Sequence, residues 1–155
     1  MTTIRPATTA DVEALLQLRA LMFGEIDRAA DDTWQGACRQ SLLDGITAGD
    51  LVAVVAEAGD GSVVASGIAT VRRWLPSPMN PSGLTGYIGS MATLEAWRRQ
   101  GIGRRVAAHL IDALTDRGVT DIVPHATEAG EDVYRSLGFE PRDGQAELSL
   151  RADSG

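Results

Sequence analysis

The feature that most constrains the fold is the stretch from Leu51 to Leu75, in which two runs rich in β-branched residues flank a short polar segment. The first run is LVAVVAE, the polar segment is AGDGS, and the second run is VVASGIATVRRWL. An Asp-Gly pair between two such runs is a strong signal for a β-hairpin. The sequence therefore predicts two antiparallel strands, and it favours a sheet that is antiparallel in its first half.

A strand and two helices are predicted before the hairpin. The strand is TIRPAT, and the helix that follows it, TADVEALLQLRALM, has Thr9 as its N-cap. A second helix begins near Thr33 and ends at Gly49. The apolar side of the first helix is formed by Val12, Leu15, Leu16, Leu18 and Met22.

After the hairpin the pattern continues as strand, helix, strand, helix and strand. The segment 86–93 predicts a strand in which Gly89 marks a bulge, and 101–117 predicts a helix that ends at Gly118. A strand over 121–127, a short helix closing at Gly138 and a last strand, AELSLR, complete the chain. This order predicts one mixed α/β (α+β) domain over residues 1–155.

Charge and composition limit the partners. With 14 Lys and Arg against 21 Asp and Glu, the net charge is -7, which is the wrong sign for a protein that binds nucleic acid. The N-terminus has no targeting pattern and no apolar run can span a bilayer, so we expect a cytoplasmic protein without membrane contact. Cys38 is the single cysteine, and no metal-binding spacing occurs, so no metal is expected.

Positive charge is concentrated in the segment EAWRRQGIGRR, where a helix begins. The segment contains two glycines, Gly101 and Gly103. The free N–H groups and the dipole of a helix start attract anions, glycine lets a ligand approach the backbone, and arginine binds phosphoryl oxygens. The sequence therefore predicts an anion site, although a glycine turn with solvated arginines is the structural alternative. The arginines are Arg98, Arg99, Arg104 and Arg105.

Spacing separates three classes of phosphate-binding loop. A dinucleotide fingerprint needs glycine where Val106 stands, and a nucleoside-triphosphate loop needs a Gly-Lys-Ser/Thr triplet that does not occur. The pattern Arg98-x-x-Gly101-x-Gly103 resembles the pyrophosphate motif of the GNAT N-acetyltransferase superfamily. The segment VYRSLGF, residues 133–139, resembles that family's Leu-Tyr-x-x-Leu-Gly-Phe signature and lies after the next strand, as in the family.

The resemblance implies a fold, a donor and a binding site. The fold is a mostly antiparallel central sheet flanked by helices and splayed between its fourth and fifth strands, where the pantetheine of acetyl-CoA binds as the acyl donor. Met91 and Thr93 are expected to offer backbone groups to pantetheine, and the N–H of Met91 or Ala92 to polarise the thioester. The pyrophosphate is expected at Arg98, Arg99, Gln100, Gly101, Ile102, Gly103 and Arg104.

Tyr134 takes the place of the family's proton donor to the departing thiolate, with packing against the sheet as the alternative role. The implied mechanism is direct attack of an amine on the thioester in a ternary complex. One departure is visible, because relatives often have Asn-x-x-Ala where this chain has Thr127 and Gly130.

The amine must lose a proton before it attacks, which for a pKa near 10.4 costs about 4 to 5 kcal/mol at pH 7. His125 on the fifth strand is the candidate base, unless it is a structural histidine. Glu25 and Asp27, with Asp31 and Asp32, lie in the loop that borders the acceptor site in relatives, so they are candidates to bind a cationic acceptor. A solvated polar loop is the alternative.

The resemblance favours an N-acetyltransferase for a primary amine of a small molecule. A lysine or N-terminus of a protein remains an alternative acceptor, although the Pro-rich loop 76–83 would obstruct a peptide groove. A non-catalytic acyl-CoA sensor is the third alternative, and the presence of Tyr134 disfavours it. A homodimer is left open.

Overall fold

A computed structural model describes residues 1–24, 33–125, 128–142 and 150. Its centre is a five-stranded sheet with the order β1-β2-β3-β4-β5. Neighbouring strands are antiparallel up to β4, and β5 is parallel to β4. The predicted mixed, mostly antiparallel sheet is confirmed. The strands are β1 Thr2–Pro6, β2 Leu51–Ala58, β3 Val63–Arg73, β4 Leu84–Thr93 and β5 Asp121–Pro124.

In the part of the chain that the structure describes, four α-helices flank the sheet: α1 Val12–Phe23, α2 Thr33–Ala48, α3 Ile102–Asp116 and α4 Glu128–Ser136. Two hydrophobic clusters hold them in place. One cluster joins α1 and α2 to one face of the sheet, and the other joins α3 and the Tyr134 side chain of α4 to strand residues. None of the helices in the described part of the chain has the length and apolar character that crossing a bilayer needs.

The predicted hairpin forms as β2 and β3. Asp60 accepts a hydrogen bond from the Ser62 N–H at 3.0 Å in the turn, and Gly61 has a φ of 88° that glycine adopts without strain. Each strand contributes small apolar residues that allow helices to pack closely. Gly67 of β3 is an example, because a Cβ there would lie 3.0 Å from Cγ1 of Val106 on α3.

The start of α1 differs from the prediction. Thr8, not Thr9, is the N-cap, and it caps a single turn of 3₁₀ helix, Thr9–Asp11, that leads into α1. The cap is a reciprocal one, in which the Thr8 hydroxyl accepts from the Ala10 N–H while the Asp11 carboxylate accepts from the Thr8 N–H. This 2.8 Å bond from the Thr8 N–H to Asp11 identifies Thr8 as the cap, and the pattern of apolar residues does not predict it.

Other differences concern element ends and exposure. The apolar pattern predicts Met22 on the buried side of α1, whereas the residue is 37% exposed. The third strand ends at Arg73, so Leu75 is not part of it, and the fifth ends at Pro124, before the predicted 127. The predicted last strand lies outside the described residues except for its residue 150.

Candidate active site

The candidate site is built around a bulge in β4. The register of β4 against β3 shifts by one residue at Gly89. On its other edge β4 pairs with β5 only from Thr85 to Ile88, and the pairing ends with a hydrogen bond from the His125 N–H to the Ile88 carbonyl at 2.8 Å. Beyond the bulge, no strand of the described chain pairs with this edge of β4. The predicted bulge and the predicted opening between the fourth and fifth strands are confirmed.

Backbone groups beyond the bulge alternate in direction. The Leu94 N–H donates to the Val64 carbonyl of β3 at 2.9 Å, and in an antiparallel pair every second residue points toward the partner strand. Ala92 therefore faces β3, whereas Met91 and Thr93 direct their N–H and C=O groups into the gap beside β5. Of the two amides considered for the thioester carbonyl, the one that faces the gap is that of Met91.

The turn between β4 and α3 leaves a run of backbone amides unpaired. The N–H groups of residues 99–104 donate to no acceptor among the described residues, and the first bonded amide of the helix is that of Arg105, to the Gly101 carbonyl at 3.2 Å. Gly101 caps the helix with a φ of 75° and no side chain, and Arg99 also has a positive φ, 64°. Left-handed residues in a turn direct successive N–H groups into a concavity that binds anions.

Gly103, in the first turn of α3, is a glycine that the fold itself does not need. A Cβ there would meet only the Thr93 hydroxyl oxygen at 3.8 Å, which is an ordinary contact. Glycine in a helix costs about 0.5 to 1 kcal/mol relative to alanine. The missing side chain keeps the amides of this turn open to a ligand.

The arginines around the turn have no carboxylate partner within the described residues. The Arg98 Nε donates to the last carbonyl of β4 at 3.0 Å, and the Arg104 Nε donates to a serine hydroxyl of α4 at 3.1 Å. Arg105 points elsewhere, because its guanidinium donates to the Thr2 hydroxyl of β1 at 2.9 Å. The charge near the turn therefore comes from Arg98, Arg99 and Arg104, and Arg105 is not part of it.

Tyr134 is a buried residue of α4. Its ring makes a T-shaped contact with that of Phe139, with 5.3 Å between centroids, and its hydroxyl forms no hydrogen bond with any described residue. Burial raises the pKa of the Tyr134 hydroxyl to about 12, so the phenol stays protonated at neutral pH. The bond from Arg104 to Ser136 joins α4 to the first turn of α3, which brings the tyrosine's helix to the anion site.

His125 lies where β4 and β5 separate. Its backbone N–H makes the last hydrogen bond between β5 and β4, whereas its side chain is exposed and hydrogen-bonds to no described residue. The acidic residues predicted to bind the acceptor, Glu25 and Asp27, lie outside the described residues, as do Asp31 and Asp32.

A cavity of about 410 Å³ borders the bulge on the α1 and α2 face of the sheet. Its wall includes Gly89 and Ser90 of β4 and residues of α1, α2 and β3. Two charged side chains line it, Arg19 and Arg72, and no described carboxylate does. The cavity therefore combines the bulge with a positively charged wall.

The sequence matches the family model described as the Acetyltransferase (GNAT) family over residues 14–139. The matched range contains the bulge, the glycine turn and Tyr134. The chain belongs to the GNAT acetyltransferase family. Family membership implies acyltransferase activity for this GNAT domain.

Solved structures share the GNAT fold over nearly the whole chain. A predicted acetyltransferase with acetyl-CoA from Clostridium acetobutylicum is 24% identical with a TM-score of 0.82, and 97% of each chain is covered. A GCN5-related N-acetyltransferase from Ralstonia eutropha JMP134 is 27% identical with a TM-score of 0.78, covering 96% of this chain and 99% of that one. The aminoglycoside N-acetyltransferase AAC(6')-Iy, in complex with the bisubstrate analogue CoA-S-monomethyl-acetylneamine, is 19% identical with a TM-score of 0.77, covering 98% and 99%. No curated protein sequence matches the chain.

The GNAT fold brings most of the sequence-predicted donor residues together. The amides of 99–104 form one unpaired run, and Met91 and Thr93 line the gap that leads to it. Tyr134 lies on the helix that Arg104 ties to this turn.

Two residues that line the cavity, Arg19 and Arg72, are not predicted from the sequence, although each interrupts a hydrophobic pattern. Arg19 lies seven residues after Val12 and three after Leu16, so it occupies the apolar side of α1. Arg72 is two residues after Thr70 and four after Ile68, on the same face of β3. Each arginine stands at a position that the helical or strand repeat of apolar residues assigns to a buried face, and this signal could have identified both.

Proposed function

We propose that this GNAT domain is an acetyl-CoA-dependent N-acetyltransferase that acetylates a primary amine of a small molecule. The observation that carries the proposal is the run of amides at 99–104 that no described residue pairs with, surrounded by arginines without a described carboxylate partner. It lies next to an edge of β4 on which no described strand pairs beyond Ile88. A phosphate group satisfies the first feature, and an extended amide-containing arm satisfies the second. CoA contains both.

The donor would bind along these two features. The amides of Arg99 through Arg104, including Gln100 and Ile102, hold the pyrophosphate, with Arg98 and Arg104 adding charge. Met91 and Thr93 pair with the pantetheine, and the Met91 N–H donates to the thioester carbonyl oxygen, where negative charge grows as the carbonyl is attacked. Ala92 supports this strand from the β3 side.

Transfer proceeds in one ternary complex. The neutral amine nitrogen forms a bond to the thioester carbon, the carbon–sulfur bond breaks with its electron pair going to sulfur, and the sulfur receives a proton. Tyr134 donates that proton, since its buried hydroxyl stays protonated at neutral pH. His125 accepts the proton that the amine loses, directly or through water, because it lies where β4 and β5 separate.

The acceptor is expected to be small. Ligand cavities typically measure about 300 to 1,000 Å³, and the cavity of about 410 Å³ beside the bulge falls in this range. The bisubstrate analogue in AAC(6')-Iy supports a small-molecule acceptor. Contacts of Glu25 and Asp27 with a cationic amine remain a prediction, as do a single domain over 1–155, a cytoplasmic location and a homodimer.

Thiol release from acetyl-CoA, followed colorimetrically over a panel of small amines and lysine peptides, tests the proposal. We expect release that depends on a small amine. Release that depends only on peptides would identify a protein acetyltransferase, and CoA binding without amine-dependent release would identify a sensor.

A further inference from the structure

The cavity beside the bulge has an electrostatic character opposite to that of the whole chain. The net charge is -7, yet both charged residues of its described wall are arginines. Neither Arg19 nor Arg72 forms an ion pair within the described residues. Two arginines that line one concave site, with no carboxylate among its described wall residues, favour an anionic ligand.

Arg19 is held in place at the bulge. One of its terminal nitrogens donates to the Gly89 carbonyl at 3.3 Å, and its guanidinium lies 5.3 Å from the centre of the Phe23 ring. Guanidinium has five N–H donors in a fixed plane, so the others remain available to a ligand. A half-buried arginine on the apolar side of a helix costs free energy unless its charge and its N–H donors are bound by partners.

Arg72 is positioned by stacking. Its guanidinium lies 5.1 Å from the centre of the Tyr87 ring of β4. An arginine over an aromatic face keeps the donors at its edge free, and this arrangement suits bidentate recognition of carboxylate or phosphate. No described residue accepts a hydrogen bond from these donors.

Thr70, two residues before Arg72 on β3, adds an unsatisfied polar group to the cavity wall. Its hydroxyl oxygen is buried and has no hydrogen-bond partner among the described residues, and the residue lines the same cavity. An unpaired buried hydroxyl costs about 1 to 3 kcal/mol. A ligand oxygen in the cavity would remove this cost.

We propose that the acceptor amine also carries an anionic oxygen group, a carboxylate or a phosphate, that Arg19 and Arg72 bind with help from the Thr70 hydroxyl. The inference rests on the proposed acetyl transfer, because it assigns the cavity to the acceptor.

The test compares matched amines and matched arginines. The amines are α-amino acids, each paired with its own carboxamide, and glucosamine 6-phosphate paired with glucosamine. The proteins are the wild type, Arg72→Gln and the control Arg73→Gln, which removes the neighbouring exposed arginine on the opposite face of β3. Thiol release gives kcat/KM, and calorimetry in the presence of CoA gives acceptor affinity without chemistry.

We expect the anionic member of at least one pair to have the higher kcat/KM and affinity. Arg72→Gln should lower both by about 10- to 100-fold for that member and little for its neutral partner, because a hydrogen bond to a charged group is lost. Arg73→Gln should behave as wild type. The amino acid and sugar pairs separate carboxylate from phosphate.

The outcomes separate the two proposals. The anionic-acceptor proposal is overturned if kcat/KM is higher for the neutral amines, or if Arg72→Gln leaves kcat/KM for the anionic amines unchanged. Either result is still compatible with acetyl transfer. Arginine-dependent binding of an anionic amine without turnover supports the site and contradicts the transferase. If no anionic amine in the panel is bound or acetylated, the inference is contradicted.

Discussion

At the scale of single residues, Tyr134 combines a packing role with a free hydroxyl. Its ring packs against Phe139, whereas its hydroxyl has no described hydrogen-bond partner to lose. Tyr134→Phe should therefore leave the melting temperature unchanged and lower kcat by about 10²- to 10⁴-fold, the usual contribution of a general acid. The CoA dissociation constant should not change. Steady-state kinetics, calorimetry and thermal unfolding measure the three quantities.

The pH dependence of Tyr134 follows from its burial. Because the pKa of the hydroxyl is raised to about 12, it donates a proton throughout the neutral and mildly alkaline range. The burial that raises this pKa also disfavours a bare thiolate in the same place, so a proton donor is worth more here than in water. Wild-type kcat for Tyr134→Phe over a pH series, with chemistry rate-limiting, would reduce the tyrosine to a packing residue.

At Gly103 a substitution should have opposite effects on the stability of the fold and on CoA binding. Because a Cβ fits there in the protein, Gly103→Gln should raise the free energy of unfolding by about 0.5 to 1 kcal/mol through helix propensity. The same side chain would cover the amides of the turn, and we expect CoA affinity to fall by about 10-fold or more, as for loss of one charge-assisted hydrogen bond.

The control for Gly103 is Gly36 of α2, where a Cβ would meet nothing within 4 Å. Gly36→Gln should gain similar stability and keep wild-type CoA affinity. Urea unfolding and calorimetry give both values. Equal CoA affinity in Gly103→Gln and the wild type would place the pyrophosphate elsewhere.

At the scale of elements, α3 approaches the sheet closely because glycines face it. A Cβ at Gly67 of β3 would lie 2.7 Å from the sulfur of Met91 and 3.0 Å from Cγ1 of Val106. Gly67→Ala should therefore displace the Met91 side chain, push α3 away from β3 and lower the free energy of unfolding by about 1 to 3 kcal/mol, the usual cost of overpacking a core.

Adding Val106→Ala to Gly67→Ala should recover part of the stability lost to the clash, after allowance for the cost of Val106→Ala alone. Gly59→Ala, in the hairpin turn with nothing within 4 Å of its Cβ, serves as the neutral control. Chemical denaturation measures each variant. A Gly67→Ala protein as stable as the control would mean that the helix has room to move.

At the scale of the whole molecule, one ionic network joins β1, β2 and the turn before α1. The Asp11 carboxylate accepts two hydrogen bonds from the Arg5 guanidinium, at 2.8 and 2.9 Å, and Arg5 also donates to Glu57 of β2 at 2.7 Å. Asp11 is buried, whereas many surface ion pairs contribute little. Asp11→Asn should lower the free energy of unfolding at pH 7 by about 2 kcal/mol.

The same network predicts how stability changes with pH. Bonds from Arg5 lower the pKa of Asp11 in the folded protein, so its contribution is complete above the unfolded pKa of about 3.9 and is lost as the pH falls through the lower folded value. The stability difference between wild type and Asp11→Asn should thus shrink only below about pH 4. Glu13→Gln, in an exposed ion pair with Arg39, should leave stability almost unchanged. A difference that stays constant down to acid would exclude the ionised carboxylate as its source.

Much of this architecture could be predicted because local patterns reflect local physics. The hairpin follows from β-branched runs around Asp-Gly, and α3 from its apolar repeat and the glycines at both ends. Element ends were less accurate. The sequence predicts Thr9 as the cap, but Thr8 caps the turn, since the side-chain bonds of Asp11 and Arg5 decide between two adjacent threonines.

The sequence by itself determined the order of the elements, the glycine turn with its unpaired amides and the tyrosine after the fifth strand, because each depends on residues that are neighbours in the chain. Only the tertiary structure decided that Arg105 bonds to Thr2 of β1 and that the gap-facing amide is that of Met91. It also decided that Arg19 and Arg72 line one cavity. The two arginines are far apart in sequence, and they line the same cavity only because α1 packs on the face of β3 and β4 where the bulge opens the sheet, a contact that no local pattern encodes.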